Sequence, residues 1–201
     1  MKVTMTPAGT TLDGLRHIGE MAAICYDSDT SDAACVRRAL KCKDSGHLAT
    51  LRFAYATFNV AGISRVCSHQ IVRMAHAGIL QRSQRYVKET SVEFVDPPAL
   101  EQCTFDDRIK WGYIQDEAER LYLHLIETKQ MKKEDARYIL PQGCFTEMNL
   151  CLNFQGWRDF LRNRNDKHAQ WEVRAVAAEI DRQLGEGAPG LFGEVKCLNL
   201  T

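Results

Sequence analysis

Apolar and polar positions alternate from Met1 to Met5, as in a short edge strand. They then recur at Leu12, Leu15, Ile18 and Ala22, the spacing of a helix over 11–26. The pattern predicts a second helix over 31–43, stopped by Asp44-Ser45-Gly46. Residues 52–60 (RFAYATFNV) are rich in aromatic and β-branched side chains and read as a strand that Ala61-Gly62 turns. Ser64 is placed to cap a helix running to about Met74. There Val66, Ile71 and Val72 form the apolar side, with Arg65, His69 and Arg73 on other faces. Gly78 interrupts this pattern. Beyond it QRSQRYV and SVEFVDPP read as extended segments, and 106–131 as a long amphipathic helix suited to the surface or to a subunit contact. A short helix over 134–140 ends at Pro141, residues 145–154 alternate as a strand, and helices over 157–164 and 168–184 close the chain. The expected class is α+β, a small, mostly antiparallel sheet flanked by helices.

Composition narrows the classes. A chain of 201 residues with 45% hydrophobic residues is expected to form a single domain over 1–201. Lys+Arg and Asp+Glu both number 26, so no global charge draws the chain to polymeric nucleic acid or to an anionic membrane, and any anion site has to be built locally. No apolar run reaches a membrane span, and the N-terminus lacks a signal-peptide core, which predicts a cytoplasmic protein. Eight cysteines form no CxxC pair and read as reduced thiols packed as small hydrophobes rather than as metal ligands.

Chemistry concentrates in residues 68–87, SHQIVRMAHAGILQRSQRYV. Arg65, Arg73, Arg82 and Arg85 crowd this stretch with Gln70, Gln81, Ser83 and Gln84. Guanidinium forks match phosphate oxygens, and the Ser and Gln side chains add directional bonds. From composition alone the segment reads either as an anion or nucleotide site or as a solvated polar face.

The segment resembles the signature of the flavin-dependent thymidylate synthases, an Arg-His-Arg followed by spaced serines and ending in Ser-x-Arg-Tyr. Arg73 falls on the first Arg, and Ser83, Arg85 and Tyr86 on the end. Further blocks follow the same order: CYDS from Cys25, Gly46-His47, FVDPP from Phe94, DARYILP from Asp135 and HAQWEVR from His168. The resemblance implies the fold of that family and a homotetramer with shared sites. It also implies transfer of a one-carbon unit from methylenetetrahydrofolate to C5 of dUMP, with FAD reduced by NADPH supplying hydride. It places Gln70, Arg73, Gln81, Ser83, Arg85, Arg137 and Arg164 at the nucleotide, Arg164 as the residue that polarises the ring, and His47, His76, Asn153 and His168 at the cofactor. No metal is implied.

Three blocks depart from the family pattern. Met74 and Ala75 replace the His and Arg of the triplet, and Gly78 replaces the following Ser. GHLATLRF puts Leu48, Ala49, Arg52 and Phe53 where polar and acidic groups are expected, and Gln155 replaces an Arg after Asn153. The loss is on the flavin side, with Arg52, His76 and Gln155 as candidate substitutes. Two other functions therefore stay open at this point: a flavin-independent pyrimidine nucleotide hydroxymethyltransferase, and a non-catalytic nucleotide-binding paralogue.

Overall fold

The computed structural model describes residues 1–25, 27–89 and 91–193. In chain order the regular elements are β1 (Lys2–Met5), α1 (Gly14–Ala23), α2 (Asp32–Asp44), β2 (Tyr55–Ser64), α3 (Arg65–Ile71) and β3 (Gly78–Gln81). They continue with α4 (Phe105–Glu127), α5 (Lys133–Ala136), β4 (Phe145–Asn153), α6 (Phe154–Arg164) and α7 (Trp171–Gly187). The four strands form one antiparallel sheet in the order β1-β2-β4-β3, so the architecture is α+β. By contacts the chain divides into two compact units. One comprises Met1, Ala61–Gln70 and Gln81–Met148, and the other Lys2–Val60, Ile71–Leu80 and the chain from Asn149 onward.

In the second of these units, strand alternation is set by the two-residue period: Ala56, Phe58 and Val60 of β2 and Leu150 and Leu152 of β4 are buried. Trp157 of α6 is fully buried, meets Phe58 and Phe160 edge-on at 5.1 and 5.7 Å, and donates its Nε1–H to the Ala56 carbonyl at 3.0 Å. α1 lies so close to α2 that a Cβ at Gly19 would stand 1.9 Å from the Cys35 carbonyl oxygen. Gln183 of α7 clasps β1, accepting from the Met5 N–H and donating to the Val3 carbonyl, both at 2.8 Å.

The other unit is built around Val92, Tyr122, Ala136 and Cys144, with Phe94, Leu123 and Leu140 packed against them. Thr104 caps α4, its hydroxyl accepting from the Asp107 N–H. The same helix carries Phe105, Ile109, Tyr113 and Ile114 exposed, in keeping with the surface placement expected for it. Ser64 caps α3 as its position predicted, accepting from the Cys67 N–H at 3.0 Å.

Several boundaries differ from the sequence expectation. Leu48–Phe53 is a 3-10 helix rather than the start of the strand, because Leu51 is buried and fixes that turn, leaving Arg52 and Phe53 exposed. Ala61-Gly62 does not reverse the chain: β2 continues to Ser64, with Gly62 absorbing a left-handed φ of 68° inside the strand. α3 ends at Ile71 instead of Met74, whose N–H closes a tight turn onto the Ile71 carbonyl. Of QRSQRYV only Gln81 is strand; the rest turns, with the Val87 N–H on the Ser83 carbonyl. SVEFVDPP forms a single bridge, Phe94 to Cys144. The last helix starts at Trp171 instead of His168, because the Gln170 side chain caps it by accepting from the Glu172 and Val173 N–H groups. No helix among the described residues is long and apolar enough to cross a membrane. Cys35, Cys42, Cys67 and Cys144 are buried free thiols, Cys151 is half-buried, Cys25 and Cys103 are exposed, and Cys197 lies outside the described residues.

Candidate functional site

The turn at 73–76 that follows α3, the 3-10 helix before β2, the end of β4 and the length of α6 line a cavity of about 460 Å³. Its wall is cationic, with Arg52, Arg73 and Arg164 beside His76, and Met74, Leu152 and Phe160 are its apolar lining residues. Asp159 is the one carboxylate among the lining residues and is already engaged, accepting from Gln155 Nε2 at 3.1 Å and from Arg162 at 3.0 Å. The Gln155 Oε1 is buried and has no hydrogen-bond partner among the described residues. His76 holds a left-handed φ of 60°, a conformation that costs a non-glycine residue free energy and concentrates at sites. Asn153 lines the cavity and also caps α6, its Oδ1 accepting from the Gly156 N–H at 2.8 Å. Such a surface suits an anion joined to an aromatic ring. His47 and His168 are exposed and do not line it; the His168 N–H is held by Asp166.

In the other unit, Gln81 is fixed by its amide, which donates to the hydroxyls of Ser68 and Thr146, both at 3.0 Å. Ser83 accepts from the Arg85 N–H at 3.2 Å, and half-buried Gln70 lies at the end of α3. Arg85 and Arg137 converge on one residue. The Arg85 Nε–H donates to the Glu134 carboxylate at 2.5 Å, and the Arg137 Nε–H to the Glu134 carbonyl at 3.2 Å. The Arg85 guanidinium also lies 5.3 Å from the centre of the Tyr86 ring. Glu134 holds Arg85 through the guanidinium Nε alone, a placement that a phosphate can take over by charge-assisted bonds.

Behind this group Arg65 is half-buried. Burial above all lowers its pKa below the ordinary arginine value, the Cys144 sulfur and Glu89 oppose that, and Arg137 adds to it. Cys144, 1% exposed, has its thiol pKa raised by burial against the Gln84 amide bond, so it stays protonated at neutral pH and does not serve as a nucleophile. Cys67 is fully buried as well, at 0% exposed. Sequence reasoning passed over Glu134 and Asp159. Both were within reach, since Glu134 abuts the DARYILP block and Asp159 stands four residues from Gln155 on one helix face.

Residues 9–190 match the family model described as Thy1, thymidylate synthase complementing protein. The chain belongs to this family. It is similar to the flavin-dependent thymidylate synthase of Mycobacteroides abscessus, 33% identical over 173 residues that cover 78% of this chain and 68% of that one. The same-named proteins of Mycobacterium tuberculosis (strain H37Rv) and Mycolicibacterium vanbaalenii are 31% and 30% identical over 217 and 219 residues, each covering 97% of this chain and 85% of the relative.

Proposed function

We propose that the chain is a thymidylate synthase that transfers a one-carbon unit from methylenetetrahydrofolate to C5 of dUMP and reduces it to a methyl group, with FAD and NADPH. The observation that carries this reading is the cavity in which Arg73 and Arg164 from the nucleotide set line one wall with His76 and Asn153 from the cofactor set. Arg85 and Arg137 hold the phosphate by charge-assisted bonds, Arg85 leaving the Glu134 carboxylate to do so. Gln70, Gln81 and Ser83 of the same unit add directional bonds, and in the cavity of the other unit Arg164 lowers the energy of negative charge that develops on a bound pyrimidine, with Arg73 beside it. A flavin fits the residues present: the arginines of the wall take phosphates, half-buried Met74 takes an apolar ring face, and the Gln155 oxygen takes an N–H. Bound reduced flavin supplies the hydride. The reading includes a homotetramer and a cytoplasmic location.

The test is the visible absorbance of the purified protein with FAD titration, with and without dUMP, followed by tritium release from C5-labelled dUMP. Saturable FAD binding and folate-dependent tritium release are expected. Binding of dUMP without FAD overturns flavin-dependent methylation.

A further inference from the structure

The cavity beside α6 carries three arginines and a histidine against one carboxylate, and that carboxylate already accepts from Gln155 and Arg162. The wall therefore carries more cationic than anionic side chains. One of these cations, Arg52, stands on the exposed side of a 3-10 helix whose buried residues are Thr50 and Leu51, so packing does not require an arginine there. On the opposite count, Gln155 carries a buried acceptor that no group among the described residues fills. Its amide cannot simply rotate to hide that oxygen: Nε2 donates to Asp159, and the flipped amide would set its oxygen against a carboxylate. A buried acceptor left without a donor is destabilising, a cost removed when a ligand brings an N–H.

We infer that Arg52 and Gln155 bind the flavin dinucleotide in this chain, Arg52 with Arg73 and His76 on the diphosphate, and Gln155 Oε1 on an N–H of one of the ligand's two rings, with Asp159 as the positioning residue for that amide. This rests on the flavin reading above. It assigns recognition to two positions where the chain departs from the family pattern, and it explains how binding survives without the His and Arg that Met74 and Ala75 replace. His76, held in its left-handed conformation, lines the same cavity.

Equilibrium titrations of FAD, ADP and FMN against wild type, Arg52→Ala and Gln155→Leu test the inference, with thermal melting as the check that each variant is folded. Arg52→Ala is expected to weaken FAD about tenfold or more and to flatten the salt dependence of binding. Gln155→Leu is expected to weaken FAD about tenfold. A parallel loss for ADP assigns the N–H to adenine, and a parallel loss for FMN assigns it to the isoalloxazine. Folded variants that bind FAD as wild type does overturn the inference and leave the flavin reading standing. Wild type that binds dUMP and no FAD overturns both.

Discussion

At the scale of single residues, side chains that look like site residues divide into those that hold the fold and those with capacity to spare. Ser64 is of the first kind. Removing its cap in Ser64→Ala is expected to cost about 1 kcal/mol, read as a lower urea midpoint with unchanged slope. Glu134 is of the second kind: its pair with Arg85 is exposed and adds under about 1 kcal/mol to stability. Glu134→Gln should therefore leave melting nearly unchanged while tightening dUMP severalfold in calorimetry, because the guanidinium no longer has to leave a carboxylate. Arg85→Ala should weaken dUMP by about tenfold to a hundredfold, the size of a charge-assisted bond. Cys144 gives a pH signature. Its folded pKa lies above the ordinary 9.0, so between the two values the folded chain keeps a proton that the unfolded chain has lost. Its contribution is full below the ordinary value and declines as pH rises through the raised one. Denaturant melts at neutral and alkaline pH should show this decline in wild type and a shallower one in Cys144→Ala.

At the scale of elements, the period of the pattern located the strands and helices, and side-chain caps and buried contacts decided their ends. β4 was legible almost to the residue because its alternation is complete. The 3-10 helix before β2 was not, because the same apolar residues suit either a strand or a tight helix, and only burial of Leu51 decides between them. Gly62 reads as a turn residue in any sequence, yet here it serves a strand. The start of α7 was misplaced for a related reason: Gln is an uncommon cap, so the helix seemed to begin at His168. Gly19 offers the clearest element-level test. Gly19→Ala would drive a methyl group into the Cys35 carbonyl and push α1 off α2, a cost of about 1–3 kcal/mol or more, visible as a fall in the melting temperature. Of the candidate site, the residue types and their grouping along 68–87 were visible from sequence. Which of them share a cavity was not, because His47, His76 and His168 look alike until the chain is folded and only His76 lines the cavity.

For the molecule as a whole, the exposed Phe105, Ile109, Tyr113 and Ile114 on α4 agree with a chain that associates with copies of itself. If the homotetramer forms as proposed, sedimentation should give four chains, and the melting temperature should rise with protein concentration. Another global property follows from the clasp between β1 and Gln183, whose two bonded partners are separated by 178 residues. A ribosome adding residues at ordinary speed needs on the order of ten to forty seconds to traverse that separation. During that time the first strand has been made and its clasp has not. Lys2–Met5 must therefore wait for the 178 residues that lead from Met5 to Gln183, and a nascent chain halted before Gln183 should expose Lys2–Met5 to a protease that the folded chain resists.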